Sequence, residues 1–112
     1  MVTLQNRVAL YVPSTLKGSE PLPEYYHRLY VERVARGLAI ACGGVTIHKV
    51  EGWYISDNHE FIKEPITLVE AYHTDSRSAI AEKTLYDLAD RLKRELEQES
   101  ISICINDKMI LV

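Results

Sequence analysis

Along residues 7 to 12 the chain alternates with a period of two: Val8, Leu10 and Val12 point one way, while Arg7, Ala9 and Tyr11 point the other. That pattern predicts a strand with one strongly apolar face. Pro13 ends it, and the polar, Pro/Gly-punctuated STLKGSEPLP reads as a loop. Pro23 suits the first turn of a helix, where its missing N–H costs nothing. Tyr26, Leu29, Tyr30, Val34, Leu38 and Ala41 then recur at three- and four-residue spacings, predicting a helix to Cys42. Gly43 and Gly44 stop it, since glycine readily takes the left-handed conformation past a helix end.

VTIHKVEGWYI, the turn chemistry of Asp57-Asn58, EFIK and ITLVEAYH follow, which together read as a long hairpin with Pro65 limiting the pairing near its middle. Asp75 is the candidate N-cap of a second helix, whose apolar stripe is Leu85, Leu88, Ala89, Leu92 and Leu96. Asp87–Arg91 and Asp90–Arg94 pairs, four residues apart, suit its wet face. ISICI ends the pattern with Ile101, Ile103 and Ile105 against Ser102 and Cys104.

The order is β-α-β-β-α-β, which predicts an α+β, ferredoxin-like domain over 1–112: a four-stranded antiparallel sheet with two helices on one face. The Val8/Leu10/Val12 and Ile101/Ile103/Ile105 rows should meet the helices. The other face should carry Arg7, Ala9, Tyr11, Ser102, Cys104, Thr46 and His48. It also receives either Glu70 and Tyr72 or Val69, Ala71 and His73; both sides of ITLVEAYH are fairly apolar, so alternation leaves that choice open.

At 112 residues with 46% hydrophobic and 26% charged side chains, the composition is that of an ordinary globular domain. The net charge of −3 gives no reason to expect nucleic acid as a partner. The Tyr/Arg mixture of EYYHRLYVERVAR does not change this, because its arginines are balanced by Glu24 and Glu32 and the strands lack an RNP-type motif. No apolar run is long enough for a membrane span, and MVTLQNRVALYV is not a secretory signal. Cys42 and Cys104, far apart and outside any CxxC pattern, suit reduced thiols in a cytoplasmic protein.

Chemistry is sparse. His27, His48, His59 and His73 form no pair with metal-ligand spacing, no nucleophile motif is present, and no metal or cofactor is implied. His48 and His73 lie on neighbouring strands and can converge with Tyr11, Glu70 and Tyr72 as a ligand pocket with acid/base capacity. The bland reading beside it has His73 bonded to backbone at a strand end and His48 pointing outward. GWYISDNHEFIKEP supplies more aromatic surface than a hairpin tip can bury, so Trp53, Tyr54, Phe61 and Ile62 are the candidate interface.

The stretch from GVTIHKVEGW through KEPITLVEAYH, with the helix after it and ES-ISICI, resembles an uncharacterised bacterial domain-of-unknown-function family of small αβ proteins. The shared features are a Gly-apolar-Thr strand opening, a hairpin Trp, an acidic-Pro pair and a His closing the strand. The resemblance implies a ferredoxin-like fold and no activity. The expected function is a non-enzymatic interaction or oligomerisation module, homodimeric or partner-bound, using the open sheet face and the aromatic hairpin. The alternative is a small enzyme or small-molecule-binding protein of the dimeric αβ-barrel kind, with its pocket on that face.

Overall fold

A computed structural model describes residues 1–112. The elements run β1 (Asn6–Pro13), β2 (Thr15–Leu16), β3 (Glu20–Pro21), α1 (Glu24–Cys42), β4 (Thr46–Ile55), β5 (Phe61–His73), α2 (Ser78–Glu95), β6 (Ser102–Ile105) and β7 (Lys108–Leu111). The main sheet has the order β4-β5-β1-β6-β7 and is antiparallel throughout. It therefore holds five strands where the sequence predicted four. The extra strand is β7, which folds back on β6 after the Asn106–Asp107 turn; Asn106 takes φ 56°, a conformation asparagine tolerates. β2 and β3 form a separate two-stranded ribbon within the 14–22 segment.

The helices pack on one side of the sheet. Val8, Leu10 and Val12 of β1 are fully buried against them, joined by Val34 and Leu38 of α1, Leu85, Ala89 and Leu92 of α2, and Ile101 and Ile103. Ile105 is only half-buried at the edge of this core. The open choice on β5 is settled by burial: Val69 and Ala71 belong to the core, so Leu68, Glu70 and Tyr72 face the other way. At Gly37 the two helices come so close that a Cβ would stand 2.9 Å from a methyl of Leu88. Gly43 ends α1 at φ 105°, donating its N–H to the Ala39 carbonyl.

Four local expectations need correction. α1 buries Val31, Val34, Leu38 and Ala41, whereas Tyr26 and Leu29 stay exposed because they lie off that stripe, which His27 continues in the first turn by bonding Pro13 and Thr67. Asp75 does not cap α2: it opens a 3₁₀ turn (Asp75–Arg77), and its carboxylate accepts a hydrogen bond from the Asn6 amide at 2.6 Å. Asp90 pairs with Arg94, but Asp87 pairs with Lys83 and Arg91 with Glu95, the alternative i,i+4 partners on the same helix face. Pro65 does not interrupt pairing. β4 and β5 remain in one register from Thr46–Glu70 to Ile55–Phe61, with Pro65 opposite Glu51. Pro65 lies just beyond the β1 ladder, which stops at Pro13–Ile66, so β5 has a neighbour on one flank only, where proline is tolerated.

That ending of β1 shapes the molecule. Beyond it, β4 and β5 continue as a two-stranded ribbon, and the whole measures 47 × 27 × 23 Å.

Candidate functional site

On the open face the structure brings together Arg7, His48 and Glu70. The Arg7 guanidinium donates to one Glu70 oxygen, and the other lies 3.2 Å from His48 Nε2. Tyr11 is half-buried on the same face, where burial and the neighbouring Cys104 thiol push its phenol up. Tyr72 is there too, exposed beside Arg7 in the β1–β5 register. His73 is not. It lies on the helix side, 2% exposed, with Nδ1 donating to the Thr74 carbonyl at 2.9 Å. The predicted pocket of Tyr11, His48, Glu70, Tyr72 and His73 is thus a surface cluster of four, because alternation along β5 sends 73 to the face opposite 70 and 72.

Both Glu70 oxygens are taken by side chains of the chain itself, which makes this cluster an ion-pair network more than a receptor. The Arg7 hydrogen bond, helped by His48 and opposed by burial, holds the Glu70 carboxyl below its ordinary 4.5. A lowered folded-state value means the unfolded chain takes up the proton first as pH falls. The stabilisation is complete above about 4.5 and is lost as pH drops through the folded value. The midpoint of urea unfolding is therefore expected to fall between about pH 6 and pH 3, and Glu70→Gln to flatten part of that slope. An unchanged slope in the variant would show that the pair is not linked to folding. Glu95 adds to the slope in the same sense: burial raises it, but Arg33 and Arg91 outweigh that.

A different acidic residue, passed over in the sequence, has the more receptive surroundings. Where β1 stops, the 14–22 segment runs alongside the hairpin and leaves a cleft of about 530 Å³. Glu64, 6% exposed, sits in its wall. Its Oε2 accepts the Ser14 backbone N–H at 3.2 Å and the Thr15 hydroxyl at 2.8 Å. No buried side-chain oxygen or nitrogen lacks a partner, so the unbonded Oε1 must be open to solvent. His27, also in the wall, has both ring nitrogens engaged: Nδ1 donates to the Pro13 carbonyl at 3.0 Å and Nε2 meets the Thr67 hydroxyl at 2.9 Å. It is a brace, with no nitrogen left for a ligand.

Tyr54 stands on the same side of the hairpin ribbon as Glu64, since it pairs with Ile62. Burial, then the charges of Glu64 and Glu99, push its phenol up, keeping it protonated near neutral pH. Tyr54 is not itself part of the cleft wall; a carboxylate there can hold a cation and can take up a proton. A second, shallower hollow of about 510 Å³ touches Glu70 and Tyr72 beside the end of α1, without Tyr11 or His48.

No protein-family model matches the chain, and no curated protein does. Among solved structures it is similar to a phage SAM lyase in complex with S-methyl-5′-thioadenosine, with a TM-score of 0.70 at 11% identity over 100% of this chain and 92% of that one. The same holds for a phage SAM lyase in the apo state, with a TM-score of 0.69 at 12% identity, covering 100% and 94%. CutA from Synechococcus elongatus overlays more loosely, with a TM-score of 0.49 at 15% identity over 98% and 83%. At these identities the likeness is one of fold.

The candidate interface residues are distributed unequally. Trp53, Phe61 and Tyr54 are exposed on the projecting ribbon; Trp53 packs edge-on against Phe61 at 5.6 Å, and the Lys63 ammonium lies 4.5 Å from the Trp53 ring centre. Ile62, by contrast, is half-buried and lines the Glu64 cleft. No helix is long and apolar enough to cross a membrane, and no three His, Cys, Asp or Glu residues cluster as a metal site would need.

Proposed function

We propose that this chain is a small enzyme that binds a metabolite of the S-adenosylmethionine class in the cleft beneath its hairpin, with Glu64 as the anionic anchor. The observation that carries this reading is the Glu64 carboxylate itself: 6% exposed, in the cleft wall, fixed through Oε2 and without a hydrogen-bond partner on Oε1. A sulfonium or ammonium group brought to that oxygen gains a charge-assisted contact where the surroundings are already low in water. About 530 Å³ falls within the usual range for small-molecule sites. The full-length likeness to a phage SAM lyase whose structure contains S-methyl-5′-thioadenosine supports the ligand class. The reading moves the pocket from the middle of the open face to the hairpin base, and takes the βαββαβ path as ferredoxin-like with an added edge strand.

Titration calorimetry with S-adenosylmethionine and with S-methyl-5′-thioadenosine tests it. Saturable binding of either at micromolar concentration is the expected result, and chromatography of the S-adenosylmethionine incubation should show conversion. Absence of heat with both ligands, together with an unchanged chromatogram, removes the proposal.

A second reading, the interaction module, is favoured by Trp53, Tyr54 and Phe61, which stay exposed on the ribbon. It predicts a partner contact there, and it is compatible with a site one strand away.

A further inference from the structure

β4 is an edge of the main sheet, hydrogen-bonded to β5 alone. It is ten residues long and contains no proline, and its register with β5 runs from end to end without a bulge. Edge strands that stay single are usually short, broken by proline, kinked by a bulge or covered by another element. β7, the opposite edge, is only four residues long. β4 carries just one positive charge on its own length, Lys49, followed two residues later by Glu51. Both are exposed, and neither belongs to any ion pair within the chain. Across the ladder they face Thr67 and Pro65, which offer no counter-charge.

We propose that two copies of this chain join edge to edge through β4, antiparallel about Val50, making one continuous sheet. In that register Lys49 of each copy stands opposite Glu51 of the other, giving two symmetric cross-strand ion pairs. Ile47 stands opposite Trp53, both exposed within the single chain. These four residues share the helix side of the sheet, as Val69, opposite Ile47 across the ladder, does. A slip of one residue would set helix-side residues opposite open-face ones, which alternation forbids in a continuous sheet. A slip to centre on Lys49 would set that charge against itself, and one centred on Glu51 would do the same for the carboxylates. Of the neighbouring registers, only the Val50-centred one keeps the faces matched and the charges opposed. The interface is isologous, as a closed two-fold dimer requires.

Sedimentation equilibrium of the full chain, without added ligand, tests the assembly separately from the cleft. The wild type is expected to be a dimer at tens of micromolar. Lys49→Glu puts like charges opposite one another twice, as does Glu51→Lys, and each should weaken self-association about ten-fold or more. The double exchange, Lys49→Glu with Glu51→Lys, restores opposite charges between copies and should restore the dimer. Circular dichroism of each variant keeps loss of folding distinct from loss of pairing. A wild-type monomer at about 100 micromolar, a trimer or open polymer, or a double exchange that fails to rescue two folded single variants would each overturn the proposal.

Discussion

Leu10→Ala is expected to lower the free energy of unfolding by about 2–5 kcal/mol. Leu10 lies in the central strand, with Val69 and Ile103 as its ladder neighbours, and is 0% exposed. Removing its three outer carbons leaves a void that β1 cannot close, because its neighbouring strands hold it on both flanks. Against a typical total of roughly 5–15 kcal/mol, such a loss brings the domain near its limit. Urea denaturation should show a lower midpoint at an unchanged slope. The control is Leu111→Ala, at an exposed position on the edge strand, where the change should stay within about 0.5 kcal/mol. A loss under about 1 kcal/mol for Leu10→Ala would mean that the core is not organised around β1.

The second large effect concerns the cleft. Glu64→Gln keeps an oxygen able to accept the Ser14 N–H and Thr15 hydroxyl, but removes the charge. The fold and the 14–22 segment should persist, while affinity for a cationic ligand should fall about ten-fold or more. Glu64→Ala removes the acceptor as well. Two donors lose their partner, the segment loses its tie to the hairpin, and the cost should be about 1–3 kcal/mol. Hydrogen exchange at the Ser14 amide separates the variants: slow in the wild type and in Glu64→Gln, fast in Glu64→Ala. If Glu64→Gln binds ligand as tightly as the wild type, the carboxylate is structural and the functional reading fails with it.

The sequence was most readable where one period held over a whole element. Val8, Leu10 and Val12, and the Leu85-to-Leu96 stripe, needed nothing beyond their own spacing, and they form the core. Legibility weakened where burial depends on a distant segment. Along ITLVEAYH both faces look apolar, and only the helices decide that Val69 goes in and Leu68 out. The first turns of α1 offer apolar residues on more than one side, and the sheet takes His27 and Tyr30 while Tyr25, Tyr26 and Leu29 stay outside. β7 was missed although Asn106-Asp107 is turn chemistry, because four residues are too few to show alternation. The site was the least legible part. In EFIKEP, Glu64 reads as an ordinary surface acid, and its partners, Ser14 and Thr15, come from a polar loop about fifty residues earlier. Glu70 was found because it sits in a strand whose outward face could be enumerated.

The central position of β1 bears on how the protein is made. Residues 6–13 are made before either of their ladder partners, residues 66–73 on one flank and 103–105 on the other. A nascent chain can form α1 and close the β4–β5 hairpin locally, but the strand around which the sheet is laid down stays single and apolar until residues 66–73 are made, and its other flank stays bare until residues 103–105 follow. Folding should accordingly be slow for the chain's length, as in other topologies dominated by distant pairings. A stall or truncation before residue 103 leaves an incomplete sheet with a bare apolar edge, the kind of species that chaperones retain.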